Sequence, residues 1–298
     1  MNIKETRSDQ IFNLCNKLLV LFFIIIISYP LIYIVSASIS DPFYVNSGAM
    51  WLFPKGITFE GFERVFQSSE IWVGYRNTIF YTLLGTFINL VVTLPCAYAL
   101  SRQDLIGKKL IMTLFVFTMF FDGGLIPTYL LVRDLGMINT IWSMVIPSAA
   151  AMWNIIVTMS FFKVTIPRGL EEAAEMDGAS QIRTFLQIVL PLSAPIIAVM
   201  ALFYGVGHWN QYFGALIYLH ERSLFPLQLF LREILVQQKI TAELLQQSGA
   251  AEAISKHARI ADIIKYAVMI VSAAPLLMIY PFLQRFFIKG VMIGSLKE

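Results

Sequence analysis

The chain has 298 residues, of which 57% are hydrophobic and 14% charged, with a mean hydropathy of +0.70 and a formal net charge of +3. A soluble core cannot absorb that much apolar surface, so the composition excludes a soluble globular protein and calls for a bilayer. No basic, aromatic-interleaved surface for nucleic acid is present, and Cys15 and Cys96 suggest neither a disulfide nor a metal site.

A membrane-crossing helix needs about 20 mostly apolar residues. Six stretches qualify in chain order: 18–39, 78–100, 110–131, 141–162, 194–219 and 263–287. The first ends in a small-x-small sequence, Ser36-Ala37-Ser38, but its apolar run is too long for a signal peptide, so it reads as a retained helix. Pro30, Pro95, Pro127, Pro147, Pro275 and Pro281 interrupt nearly all of the spans. Lipid tolerates such breaks only where neighbouring helices, side chains or water satisfy the freed backbone groups. The expectation is therefore an all-α membrane protein with a packed, irregular bundle.

Six spans put both termini on one side. That side carries Lys4, Arg7, Lys17, Arg102, Lys108, Lys109, Lys163, Arg168, Arg183, Arg285, Lys289 and Lys297, against Lys55, Arg64, Arg76 and Arg133 in the short loops opposite. The termini and the polar insert at 170–191 are thus expected to be cytoplasmic. Residues 1–71 form a tail, a first span and an outer loop attached to a five-helix unit, 72–285; within that unit, 220–262 is a second outer loop of amphipathic helical character, weakly broken at Ser248-Gly249. Residues 286–298 are a cytoplasmic tail. Neither a fixed-period repeat nor the inverted symmetry of many secondary transporters is visible.

Catalytic signatures are missing. No phosphate-cradling G-x4-G-K-[ST] occurs; the nearest fragment, Gly107-Lys108-Lys109, has Arg102 in place of the first glycine and Lys109 in place of the hydroxyl. There is no HExxH, GxSxG or Cys/His cluster, and His208, His220 and His257 are scattered, as structural or surface histidines would be. No nucleophile, base or metal constellation supports an enzyme. Asp122, in "FFDGGLIPTY", is the clear intramembrane acid. It either caps a helix broken at Gly123-Gly124 or lines a transport path, since a charge in lipid is a functional candidate by default. Trp209, Asn210 and Tyr212 offer rings and an amide suited to sugar faces and hydroxyls, and equally the aromatic anchors of a membrane interface.

The segment "EEAAEMDGASQIRTFLQIVLP" is the most charged part of the second half. Glu171, Glu172 and Glu175 lie in the first turns of a short helix and complement its N-terminal dipole. Gly178 permits a turn, and Ile182, Phe185, Leu186 and Val189 then follow at helical spacing up to Pro191. Such a helix-turn-helix with alanines at its tip either enters a cleft of another protein or lies on the inner leaflet; its acids argue against an anionic lipid surface.

Glu172-Ala173-Ala174-x3-Gly178-x9-Ile188-x-Leu190-Pro191 reproduces the E-A-A-x3-G-x9-I-x-L-P loop of the permease subunits of binding-protein-dependent ABC importers, and the chain resembles that family over nearly its whole length. "GGLIPTYLLVRDLGMINTIW", "GHWNQYFGALIYL" and "FFIKGVMIGSLKE" are similar to its carbohydrate-type branch. The resemblance implies a type I ABC importer permease fold in a bacterial cytoplasmic membrane. It further implies a second homologous permease, two ATPase subunits that bind the ATP and Mg, an extracytoplasmic solute-binding protein and an oligosaccharide substrate. Glu172, Ala173, Ala174, Asp177, Gly178, Ile188, Leu190 and Pro191 would then form the coupling element docked on the ATPase, with no cofactor held by this chain. The rival reading is a self-sufficient secondary transporter of a small polar solute.

Overall fold

The computed structural model describes residues 6–248 and 264–281. Among these the chain is helical, and an isolated bridge between Ser40 and Ile57 is the extent of β pairing. The expected tail 286–298, His257 and the end of the second outer loop lie outside the described residues. The principal helices are α1 (Arg7–Ser38), α2 (Ser69–Ser101), α3 (Lys108–Phe120), α4 (Leu125–Asp134), α5 (Met152–Thr165), α6 (Arg168–Met176), α7 (Gln181–Leu192), α8 (Ala194–Trp209), α9 (Leu227–Ser248) and α10 (Ile264–Pro281).

By length and apolarity, α1, α2 and α10 can each cross a bilayer. Two further spans pass only as bent pairs, α3 with α4 at 112° and α7 with α8 at 82°. The expected span 141–162 is interrupted: a four-residue helix, Trp142–Val145, is followed by Pro147 and then by α5, whose 14 residues rise about 21 Å, short of a hydrocarbon core about 30 Å thick. Proline explains the break, since it donates no backbone bond and clashes with the preceding turn. Between α3 and α4 the chain turns through Gly124 at φ +87°, and Asp122 Oδ1 accepts the Gly124 N–H at 3.1 Å.

The chain forms two compact units. The first comprises the residues up to Ser69 together with Leu231–Ala274. Its core is Ala37, Val45 and Met50, with Tyr33 and Tyr266 packed against them and their rings edge-on at 6.1 Å. That aromatic contact brings the start of α10 together with the end of α1. Ser36 Oγ donates to the Leu52 carbonyl at 2.5 Å, and the Asp41 side chain caps the short helix Pro42–Asn46.

The second unit comprises Glu70–Phe230 and the chain from Pro275 onward. Its core gathers Leu94, Ala97, Tyr98 and Leu100 of α2, Ile155, Met159 and Phe162 of α5, Val189 of α7, and Ile196, Met200 and Tyr204 of α8. Polar side chains of α2 tie down the irregular segments around it. Asn77 Nδ2 donates to the carbonyls of Ser223 and Phe225, at 2.7 and 3.0 Å, and Tyr81 donates to that of Leu224 at 2.8 Å. Thr78 accepts the Leu227 N–H at 2.8 Å, Asn89 Nδ2 donates to the Ser148 carbonyl at 2.5 Å, and Asn89 Oδ1 lies 2.8 Å from His208 Nε2. His208 is therefore a satisfied structural histidine.

Gly85 leaves the space that the His208 ring fills: a Cβ there would fall inside the contact distance of the imidazole. Gly85→Ala should accordingly push His208 off Asn89 and lower stability by about 1–3 kcal/mol, as overpacking does. Thermal unfolding of the purified chain in detergent, compared with Gly207→Ala, where an added Cβ meets nothing, measures this.

Candidate functional site

The charged segment folds as helix, turn and helix, and its spacing follows from capping geometry. At the end of α6, Gly178 adopts φ +75°, the left-handed region that glycine enters without penalty. The Gly178 N–H donates to the Glu175 carbonyl at 3.0 Å and the Ala179 N–H to the Ala174 carbonyl at 2.9 Å. These are the two bonds of a Schellman C-cap, with Gly178 at its left-handed position. The interval between Ala174 and Gly178 is thus fixed by the cap itself. Ser180 then accepts the Arg183 N–H at 3.3 Å and starts α7.

In α7, Phe185–Val189 form a π turn, closed by the Leu190 N–H donating to the Phe185 carbonyl. Pro191 follows at once, and a proline that cannot donate to Gln187 explains why the helix widens there. Of the apolar series at 182, 185, 186 and 189, Val189 is buried and Phe185 half-buried, while Ile182 and Leu186 are exposed; Thr184 and Ser193 are buried as well. Leu190 packs on the core, Ile188 is half-buried and Pro191 exposed.

Of the three glutamates expected to complement the N-terminal dipole of α6, only Glu171 lies in its first turn; the helix begins at Arg168, which leaves Glu175 in the last turn, where a dipole role does not account for it. Arg102, directly after α2, extends its guanidinium among them, its side chain only 14% exposed. Its Nη2 donates to Glu175 Oε1 at 3.0 Å, and its Nε to Asp104 Oδ1 at 3.1 Å. Its Nη1 lies 2.9 Å from Glu171 Oε2 as an ion pair, without the alignment of a hydrogen bond. Hydrogen bonding to Asp104, opposed by partial burial, raises the Arg102 pKa above its already high ordinary value, and the same contact lowers that of Asp104. Gln181 Nε2 donates to Glu175 Oε1 at 2.7 Å, and Arg168 Nη1 to Gln103 Oε1 at 3.0 Å. A cleft of about 720 Å³ runs beside this network, lined by Arg102, Lys108, Lys163, Arg168 and the three glutamates. Arg102 entered the sequence reading as a loop charge and as the mismatch to a phosphate-cradling loop; three clustered carboxylates with no base of their own nearby except Arg168 were the signal for such a partner.

Glu172 lines the same cleft but does not pair with Arg102. Its carboxylate is 66% exposed and meets only the i−4 neighbour Arg168, at 3.5 Å. Ala173, Asp177 and Gly178 are exposed with it, Met176 is 87% exposed, and Ala174 alone in α6 is buried. The segment therefore presents an acidic and apolar tip.

Of the residues considered for a solute path, Trp209, Asn210 and Tyr212 lie at the end of α8 and just after it, and Asp122 lies between α3 and α4. Trp209 is buried, its ring 6.4 Å from that of Tyr75, and Asn210 donates back to the Val206 carbonyl at 2.9 Å. Tyr212 is exposed, and Asp122 is engaged in its own helix break. Among the described residues no group of three or more His, Cys, Asp or Glu is placed to hold a metal ion.

The family described as binding-protein-dependent transport system inner membrane component matches residues 71–293. The chain is 37% identical to Protein LplC of Bacillus subtilis (strain 168), over 98% of this chain and 97% of that protein. It is 35% identical to the polygalacturonan/rhamnogalacturonan transport system permease protein YtcP of the same organism, over 97% and 99%. Among solved structures, a chain of a bacterial ABC transporter involved in the import of the acidic polysaccharide alginate superposes with a TM-score of 0.83 at 33% identity, covering 96% of this chain and all of that one.

The two motif alanines separate packing from surface. Ala174→Leu should destabilise the isolated subunit by about 1–3 kcal/mol through overpacking, whereas Ala173→Leu, at an exposed position, should stay within about 0.5 kcal/mol. Parallel thermal unfolding of the two variants in detergent checks the difference.

Proposed function

We propose a transport role from one premise: the chain belongs to the family of binding-protein-dependent transport system inner membrane components. In this reading it is the permease subunit of an ABC importer in a bacterial cytoplasmic membrane, and it pairs with a second, homologous permease. An extracytoplasmic binding protein delivers an oligosaccharide to the pair. Two ATPase subunits bind ATP and Mg, and the α6–α7 segment docks on one of them. The observation that carries this is the match of the E-A-A-x3-G-x9-I-x-L-P pattern to an exposed, capped helix-turn-helix within the family region.

Six spans with both termini cytoplasmic fit this role. They are α1, α2, the bent pair α3 with α4, the interrupted stretch from Trp142 through α5, the bent pair α7 with α8, and α10. Closure of the ATPase dimer would displace α6 as a lever, and the bundle would switch between inward- and outward-facing states. Asp122, Asn210 and Tyr212 are candidates for the solute path, with Trp209 supporting them from its buried place beside Tyr75. Polygalacturonan/rhamnogalacturonan in one relative's name and alginate in the structural neighbour's description favour an acidic oligosaccharide as the solute.

Gly178 supplies a direct test. Nothing lies within 4 Å of a Cβ added there, so Gly178→Leu does not crowd this chain and adds only left-handed strain, about 1–2 kcal/mol. The variant should insert normally and lose ATP-dependent uptake in reconstituted vesicles; normal uptake would remove the docking role. Expressed with its chromosomal neighbours, the chain should purify with an ATPase subunit, and its absence would favour a self-sufficient transporter. A thermal-shift screen of the cognate binding protein should show stabilisation by uronic-acid oligosaccharides above neutral ones.

A further inference from the structure

We propose that Arg102 is a positioning residue that fastens α6 to the end of α2, so that the two move as one body; this rests on the importer reading above. A short helix transmits displacement only if its attachment is stiffer than the motion it passes on. Apolar packing cannot supply that stiffness here, because Ala174 is the one buried residue of the nine in α6. The polar clasp does.

Its geometry suits the task. Glu171 and Glu175 are one turn apart on a single face of α6, and the planar guanidinium reaches both while Asp104 holds its Nε edge. Glu175 also accepts from Gln181, which extends the clasp across the turn to α7. On the other side, Lys108 Nζ donates to the Arg102 carbonyl at 2.5 Å and the Ser101 carbonyl at 3.3 Å, which folds the loop back onto the last carbonyls of α2. Tyr98, one turn before Arg102, stacks on Phe185 of α7 with ring centroids 5.2 Å apart. The acids of the segment thus divide their work: Glu171 and Glu175 hold the clasp, while Glu172, 66% exposed, pairs with Arg168 instead. Lysine would keep the charge at position 102 but offers a single ammonium, which cannot reach three carboxylates in fixed directions.

The test uses the complete importer, with its partner permease, ATPase and binding protein, in proteoliposomes. The quantity read is ATP hydrolysed per solute imported. A residue that only supported folding would leave this ratio unchanged while both activities fell with the amount of assembled complex. R102Q should raise the ratio by about tenfold or more, R102K should fall between R102Q and the wild type, and E175Q should give a smaller rise. An unchanged ratio, whether both activities persist or fall together, overturns the proposal. Should R102Q fail to assemble, R102K decides by the same criterion. A wild-type complex without ATP-dependent uptake would instead overturn the importer reading itself.

Discussion

The fold depends on how backbone groups freed by broken helices find partners without water. In hydrocarbon an unsatisfied carbonyl costs several kcal/mol, so an interrupted span persists only where side chains complete its hydrogen bonds. Helix α2 supplies them. Asn89 satisfies the carbonyl of Ser148, the residue after Pro147, and nearer the start of α2 Asn77 and Tyr81 hold the carbonyls of Ser223, Leu224 and Phe225 in the loop that leads into α9. The same helix carries the apolar residues that meet α5, α7 and α8 in the core. Its 33 residues, about 50 Å if straight, therefore organise shorter pieces that could not cross a bilayer alone.

At its C-terminal end α2 hands this role to Arg102. The side chains change from neutral amides and hydroxyls to a guanidinium, and the captured groups change from carbonyls to carboxylates. The principle is unchanged: a rigid helix presents fixed donors to a segment that packs poorly by itself. The segment so held is the one whose spacing follows from a Schellman cap and a π turn. A pattern that reads as a family signature is therefore also a set of backbone requirements, with Gly178 for the left-handed cap and Pro191 for the widened turn. What those requirements leave exposed is Glu172, Ala173, Met176 and Gly178.

Much of this was legible in residue order. Apolar runs of about 20 residues marked α1, α2 and α10, because a long helix in lipid advertises itself by composition alone. The proline positions forecast irregular spans, and Asp122-Gly123-Gly124 forecast the break between α3 and α4. The severity of the breaks was less legible. Hydropathy averages over a window and does not register a bend of 112°, or a span divided at Pro147. The π turn at Phe185–Val189 was not legible for a related reason: a reading at constant helical period does not register it.

The sequence by itself determined the solvent, the helical class and the capped helix-turn-helix at 170–191, since bilayer thickness, helix rise and cap geometry act on neighbouring residues and leave local marks. Only the tertiary structure decided which polar side chain serves which backbone group, and that Arg102 reaches Glu171, 69 positions further along the chain, a pairing set by how the helices pack. It also decided that Trp209 is buried against Tyr75 and that the start of α10 joins the end of α1 through Tyr33 and Tyr266. Local order encodes periods and caps; partners distant in the chain meet only once the apolar faces have chosen their neighbours.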